Sequence, residues 1–310
     1  MAALSQAQSQ SHRGGNRKEL RAVAKGLLFI SPWLFGFFAF TIYPLLASLY
    51  YSFTRYDIIS SPKWIGLENY RNLLFDDDTF RVVVANTLYF VLLAVPIGVV
   101  VAFLLATLLN NEFRFRMVFR TIFFLPSIVP VVATVMVWLW IYNPRFGLIN
   151  STLAAAGFQA IPWLSSPNLV KPSLIIMYAW AQGGSMVIFL AALQDVPRAL
   201  YDAAVVDGAN KLQRFWHVTI PMCTPSILFV TLTGLIGAFQ YFIQPWIMTQ
   251  GGPLQQSEFY GVYLYRNAFM HFKMGYASAL AWLLFIIIML STIALFRTSA
   301  RWVYYAGEER

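Results

Sequence analysis

The chain has 310 residues, 59% hydrophobic and 17% aromatic, and only 11% charged. Soluble domains carry about 25% charged residues, so this composition excludes an ordinary water-soluble domain and points to lipid as the solvent. The net charge of +9 then reads as membrane orientation rather than nucleic-acid binding, and the single Cys223 excludes an intramolecular disulfide or a cysteine metal cluster.

Residues 1–25 are polar and then basic, which predicts a disordered cytoplasmic tail ahead of a membrane domain over 26–310. The apolar run after Lys25 is too long for the core of a cleaved signal peptide. A membrane-crossing helix needs about 20 mostly apolar residues. Charge-free windows fall at 26–54, 82–111, 121–144, 172–194, 215–257 and 274–296. The fifth ends in the polar, turn-like TQGGPLQQS, so it predicts one span near 225–248. The expected fold is therefore all-α and polytopic, with six transmembrane helices. Continuous apolar runs disfavour a β-barrel.

With both termini inside, 14 of the 22 lysines and arginines fall in inner segments and 8 in outer ones. That bias predicts cytoplasmic N- and C-termini in a bacterial-type plasma membrane. The first outer loop contains an expected amphipathic helix over 67–74. The second contains NPRFGLIN and IPWLSSP, and the third GGP and an aromatic run. Lipid-facing aromatics at the interfaces are expected throughout.

Between the fourth and fifth windows lies YDAAVVDGANKLQRFWHVTIP, 201–221, polar in an otherwise greasy chain. Residues 198–210 favour helix, Gly208 allows a left-handed turn, and 211–218 form a second short helix presenting Leu212, Phe215 and Trp216. Pro221 opens the next span. On the residues alone, a docking bracket and an ordinary surface loop are evenly matched.

Neutral polar residues remain inside the windows. WAQGGS in the fourth and GAFQYFIQPW in the fifth offer Trp180, Gln182, Gly184, Gln240, Tyr241 and Gln244, the amides and aromatic platforms that a sugar path needs. Helix packing through small residues is the competing explanation, evenly weighted for the glycine pair. Gln240 and Tyr241 favour the path. The sequence has no phosphate-binding loop of the G-x-x-x-x-G-K-[ST] type and no ligand spacing among its three histidines. No catalytic residue, metal or cofactor is therefore expected in this chain. A self-contained secondary transporter or channel is the alternative function; the intramembrane charge such proteins often use is absent from the windows.

The run DAAVVDG (202–208), followed nine residues later by VTIP (218–221), resembles the EAA signature of ABC importer transmembrane subunits, E-A-A-x-x-x-G-(x9)-I-x-L-P. Asp202 stands for the Glu, Val218 for the Ile and Ile220 for the Leu. WIGLENYRNLL, NPRFGLIN, IPWLSSP and MTQGGP are similar to the carbohydrate-uptake subfamily of maltose, lactose and glycerol-3-phosphate importers, and the GGP loop to the first of its two paired permeases. The resemblance implies a cytoplasmic coupling helix between spans four and five. There Asp202, Ala203, Ala204, Asp207, Gly208, Ala209, Phe215 and Pro221 would meet an ATPase subunit. It also implies a second permease, two nucleotide-binding subunits carrying ATP and Mg, an extracytoplasmic binding protein and a sugar substrate. Gln240 and Tyr241 would fall where the maltose-type permease lines its sugar site.

Overall fold

The computed structural model describes Val23 and residues 25–304. Of the tail expected over 1–25, only Val23 and Lys25 are therefore described, and both are helical. Among the described residues, four helices are long and apolar enough to cross a membrane: Lys25–Ser52, Asp78–Asn110, Lys211–Met248 and Met274–Ser299. Two more candidates are bent pairs, Arg116–Ser127 with Val131–Ile141 and Val170–Trp180 with Gly183–Asp195. Taking each pair as one span gives six, numbered here in chain order.

The third span is not the straight helix that its charge-free window suggested. Its two pieces meet at 100°. The cause is LPSIVP: Pro126 and Pro130 each lack a backbone donor, the helix tightens over Leu125–Ser127, and Pro130 leaves helical geometry at ψ 134°. The second piece, 11 residues or about 16 Å, is too short to cross a ~30 Å hydrocarbon layer alone. The first piece starts after Phe115, which sits in the left-handed region at φ 68°. Its Arg120 donates from Nη2 to the Leu109 carbonyl at 2.9 Å. A guanidinium there satisfies a carbonyl left over at the end of the second span.

The second span is the central post. Asp77 caps it, accepting from the Phe80 amide at 3.0 Å, and 33 residues follow without a break despite Pro96. Spans four and five pack along it. Above Gly98, Phe90, Ala94 and Val95 join Trp138, Leu174, Phe239 and Tyr241 in one buried cluster. Below it, Ala102, Phe103 and Ala106 join Phe189, Leu193 and Cys223 in another. A Cβ on Gly98 would lie 2.9 Å from the Tyr178 ring and 3.2 Å from the Gln182 side chain, so the glycine makes room for both between the two clusters.

One end of the bundle carries the long loops. A two-residue hairpin pairs Thr54 with Trp64 and Arg55 with Lys63. Asn69, buried, bonds the carbonyls of Ser52 and Thr54, both at 2.9 Å. The helix expected over 67–74 appears as Glu68–Arg71 continued by a wider turn over Asn72–Asp76. The third loop is held by Lys171, whose Nζ donates to Asn86 Oδ1 (3.0 Å) and Gln256 Oε1 (2.8 Å). A buried Glu258 paired with Arg266 at 2.6 Å closes the same loop on itself. The opposite end carries 196–219 and the last described residues, where the Tyr304 amide donates to Thr224 Oγ1 at 2.9 Å.

Candidate functional site

The polar segment at that opposite end folds as two short helices at a turn. Arg198–Val206 starts after Pro197 and ends at Gly208, whose φ is +80°. The amides of Gly208 and Ala209 close the end, donating to Val205 O (3.0 Å) and Ala204 O (2.8 Å). A Cβ on Gly208 would meet nothing within 4 Å. There is therefore no steric bar to a side chain, and the requirement for glycine is conformational alone, as its left-handed turn implies. Asn210 opens the second helix with a reciprocal cap: its side chain accepts from the Gln213 amide at 2.9 Å, and Gln213 Oε1 accepts from the Asn210 amide at 2.8 Å.

Asp202, Ala203, Asp207 and Gly208 are exposed, and Ala204 and Ala209 half-buried. Phe215 corrects the expectation that it is presented to a partner. Its ring packs inward, 6.0 Å from Phe103, and anchors the bracket to the lower cluster. Leu212 and Trp216 do face outward, and Val206 is more exposed than either, at 87%. Pro221 follows the wide turn Phe215–Thr219 inside the helix Lys211–Met248, where its missing backbone donor interrupts regular α-helical bonding. A Tyr201–Thr219 hydroxyl pair at 2.9 Å ties the first short helix to the fifth span. Between the two helices is a notch of about 260 Å³ lined by Ala204, Asp207, Gly208, Gln213, Arg214 and His217. The bracket is thus a partly apolar protrusion anchored on the second and fifth spans. The Asn210–Gln213 cap was readable from its N-x-x-Q spacing, although the sequence reading passed over it.

The second candidate region lies where the spans break. Span four bends by 46° at Ala181 and Gln182. The Gln182 amide donates to Tyr178 O at 3.0 Å and its oxygen accepts from Ser185 at 3.1 Å. The glycine pair divides by role. A Cβ on Gly183 would lie 2.3 Å from the Phe123 carbonyl oxygen, so Gly183 is the crossing point with span three; Gly184 has only Ser127 Cβ near it, at 3.9 Å. Trp180 is nearly half exposed and meets Trp138 edge-on at 5.7 Å.

Span five unwinds over Gln240, Tyr241 and Phe242 before resuming as Ile243–Met248. Gln240 is exposed and Gln244 half-buried. Tyr241 does not line an opening here. It is 7% exposed and stacked on Phe90 at 4.4 Å, and its hydroxyl has no partner. Tyr178 links the two breaks, with its ring 6.4 Å from Tyr241 and Gln182 bonded to its carbonyl. Trp138, Tyr178 and Phe90 are the members of this region that the sequence reading missed; aromatic residues are common throughout this chain, so these three did not stand out.

At the loop end, a cavity of about 740 Å³ is lined by Arg55, Asp57, Asp76, Asp77, Lys273 and Tyr276, among others. Asp77 accepts from the hydroxyls of both Tyr263 and Tyr276. Burial first, and then the hydrogen bond to Asp77, push the Tyr263 hydroxyl up to about 12, so it remains a donor near neutral pH. Among the described residues no group of three or more His, Cys, Asp or Glu could hold a metal ion.

Broken, charge-poor spans around a polar level, with a rigid bracket at one end, define a polytopic membrane transport subunit. The family described as "Binding-protein-dependent transport system inner membrane component" matches residues 94–304, and the chain belongs to it. It is 40% identical over 300 residues to the probable ABC transporter permease protein YesP of Bacillus subtilis (strain 168), covering 94% of this chain and 97% of that one. It is 33% identical to the lactose transport system permease protein LacF of Rhizobium radiobacter, covering 92% and 94%. Its fold is similar to a chain in the crystal structure of a bacterial ABC transporter involved in the import of the acidic polysaccharide alginate. There the TM-score is 0.80 at 22% identity, with 92% of this chain and 98% of that one covered. The chain is a permease component of an ABC transporter.

Proposed function

We propose that the chain is one of two paired permeases in a carbohydrate importer driven by ATP hydrolysis on two partner subunits. The observation that carries this reading is the bracket: two short helices locked by Gly208 and the Asn210–Gln213 cap, exposing Val206, Leu212 and Trp216. A protrusion held against the second span by Phe215 and tied to the fifth by Tyr201 passes a push from an ATPase subunit into those spans. Asp202, Ala203, Asp207 and Gly208 form the contact surface, with Ala204 and Ala209 beneath it. ATP and Mg are held by the partner subunits.

Carbohydrate is favoured by neutral amides and aromatics at the broken level and by relatives named for lactose and arabinooligosaccharides. Trp180, Gln182, Gly184, Gln240 and Gln244 line the path, with Tyr241 entering it when the upper cluster opens. An even number of spans keeps both termini on one side, and the lysine and arginine bias favours the cytoplasm for them and the outside for the long loops. A binding protein delivers the sugar there, as a sugar-bound periplasmic protein is held in the alginate transporter complex. The test is purification of this chain from its native membrane, followed by reconstitution. Co-purification of an ATPase subunit, and sugar uptake that requires both ATP and the binding protein, are expected. Uptake by this chain alone would refute the proposal.

A further inference from the structure

A second cavity at the loop end, of about 510 Å³, lies between the IPWLSSP and MTQGGP loops. Its lining includes Tyr142, Asn143, Trp163, Ser165 and Thr249, with no charged side chain. The volume is within the ~300–1,000 Å³ of small-molecule sites. Resting on the carbohydrate-permease reading above, we infer that this cavity is an outer saccharide subsite. A pyranose ring stacks on Trp163 and accepts a hydrogen bond from Asn143 before passing down the chain.

The site is built rather than incidental. Trp163 Nε1 donates to Asn150 Oδ1 at 3.2 Å. Asn150, itself 3% exposed, also accepts from the Ile161 amide and donates to Ile161 O and Pro144 O. The Trp163 carbonyl accepts from Ser173 at 3.2 Å. The indole is thus fixed before any ligand arrives, which lowers the ordering cost of binding. Asn143 uses Oδ1 for the amides of Arg145 and Phe146, and its two Nδ2 donors have no acceptor among the described residues.

The subsite also leads somewhere. Trp163 is 5.8 Å from Tyr142, Tyr142 is 5.0 Å from Trp138, and Trp138 is 5.7 Å from Trp180. Four rings therefore run in contact from the outer cavity to the break in span four, the middle two, Tyr142 and Trp138, buried in the upper cluster. Midway, Trp138 Nε1 is buried without a partner. Aromatic faces carry negative charge density and attract the C–H faces of sugars, while an unmet indole donor suits a sugar hydroxyl. Neutral lining throughout suits a neutral polyol better than an ion.

The test uses the assembled importer with 5-fluorotryptophan in this chain, read by ¹⁹F NMR, with the Trp163 and Trp180 signals assigned by Trp→Phe replacement. Lactose and arabinotriose are the probes. The Trp163 signal is expected to move and saturate with at least one of them. Asn143→Asp keeps both backbone hydrogen bonds but removes the amide donors, and should weaken that titration about fivefold. A Trp163 signal unmoved by either sugar, movement confined to Trp180, or movement on adding sugar-free binding protein alone would each overturn the subsite. Uptake of the same sugars is scored separately. Uptake with Trp163 silent removes the subsite and keeps the permease reading; a sugar-responsive Trp163 without uptake of either sugar does the reverse.

Discussion

Replacing Gly208 isolates the bracket's geometry from its contacts. Its φ of +80° lies in the left-handed region, and a Cβ there would meet nothing within 4 Å. The whole effect of Gly208→Ala is therefore backbone strain, about 1–2 kcal/mol. That is a five- to thirtyfold shift between the native turn and a right-handed alternative. The second short helix must then swing, because its cap at Asn210 begins two residues later. The helical bundle is not unfolded by so small a term, so the protein should remain in the membrane at normal abundance. Gly208→Asn should be milder than Gly208→Ala, because asparagine tolerates the left-handed region, and Gly208→Val more severe. The assay is co-purification of the ATPase subunit together with binding-protein-stimulated ATP hydrolysis in the reconstituted assembly. The expected order of retained coupling is Gly, Asn, Ala, Val. Wild-type coupling in Gly208→Val, or Asn no better than Val, would refute the strain argument.

Three further outcomes are expected. Asn210→Ala removes the side-chain half of the reciprocal cap, leaving the backbone amide to Gln213 Oε1, and should cost about 1 kcal/mol of local stability, visible as faster proteolysis between the two short helices. Gly183→Ala forces a methyl to within 2.3 Å of the Phe123 carbonyl and should destabilise the purified protein by about 1–3 kcal/mol in thermal unfolding. Gly184→Ala, with 3.9 Å of room, should be close to neutral, and equal effects would place the crossing elsewhere. Tyr241→Phe deletes a buried hydroxyl that has no partner, so thermal stability should hold or rise. If sugar uptake falls in the same variant, the hydroxyl serves transport; if it is unchanged, Tyr241 is packing.

The bracket was the most legible part of the chain. Its polar residues, glycine and proline stand at fixed offsets in a charge-poor background, and local backbone rules suffice to place them. The helical, membrane-crossing class followed from the apolar windows. The bend in span three was missed because a window average ignores Pro126 and Pro130, although both were in plain sight. Side-chain direction was the harder failure. Phe215 and Tyr241 each lie where regular helix gives way, at a wider turn in one case and an unwound stretch in the other. Helical periodicity there no longer says which face a residue is on. Tertiary crossings such as Gly183 against Phe123 leave no local trace at all, since the partner is 60 positions away.

The interruptions in spans three, four and five sit at one depth: Phe123 touches Gly183, and Tyr178 joins the break in span four to Tyr241. The buried clusters divide at the same depth on span two, around Gly98. Mechanically this is a seam. Two well-packed blocks meet where three of the members between them have already given up their regular hydrogen bonding, so bending at the seam breaks few bonds that were made. The continuous second and sixth spans cross it as straps, keeping the blocks in register while the joint between them flexes.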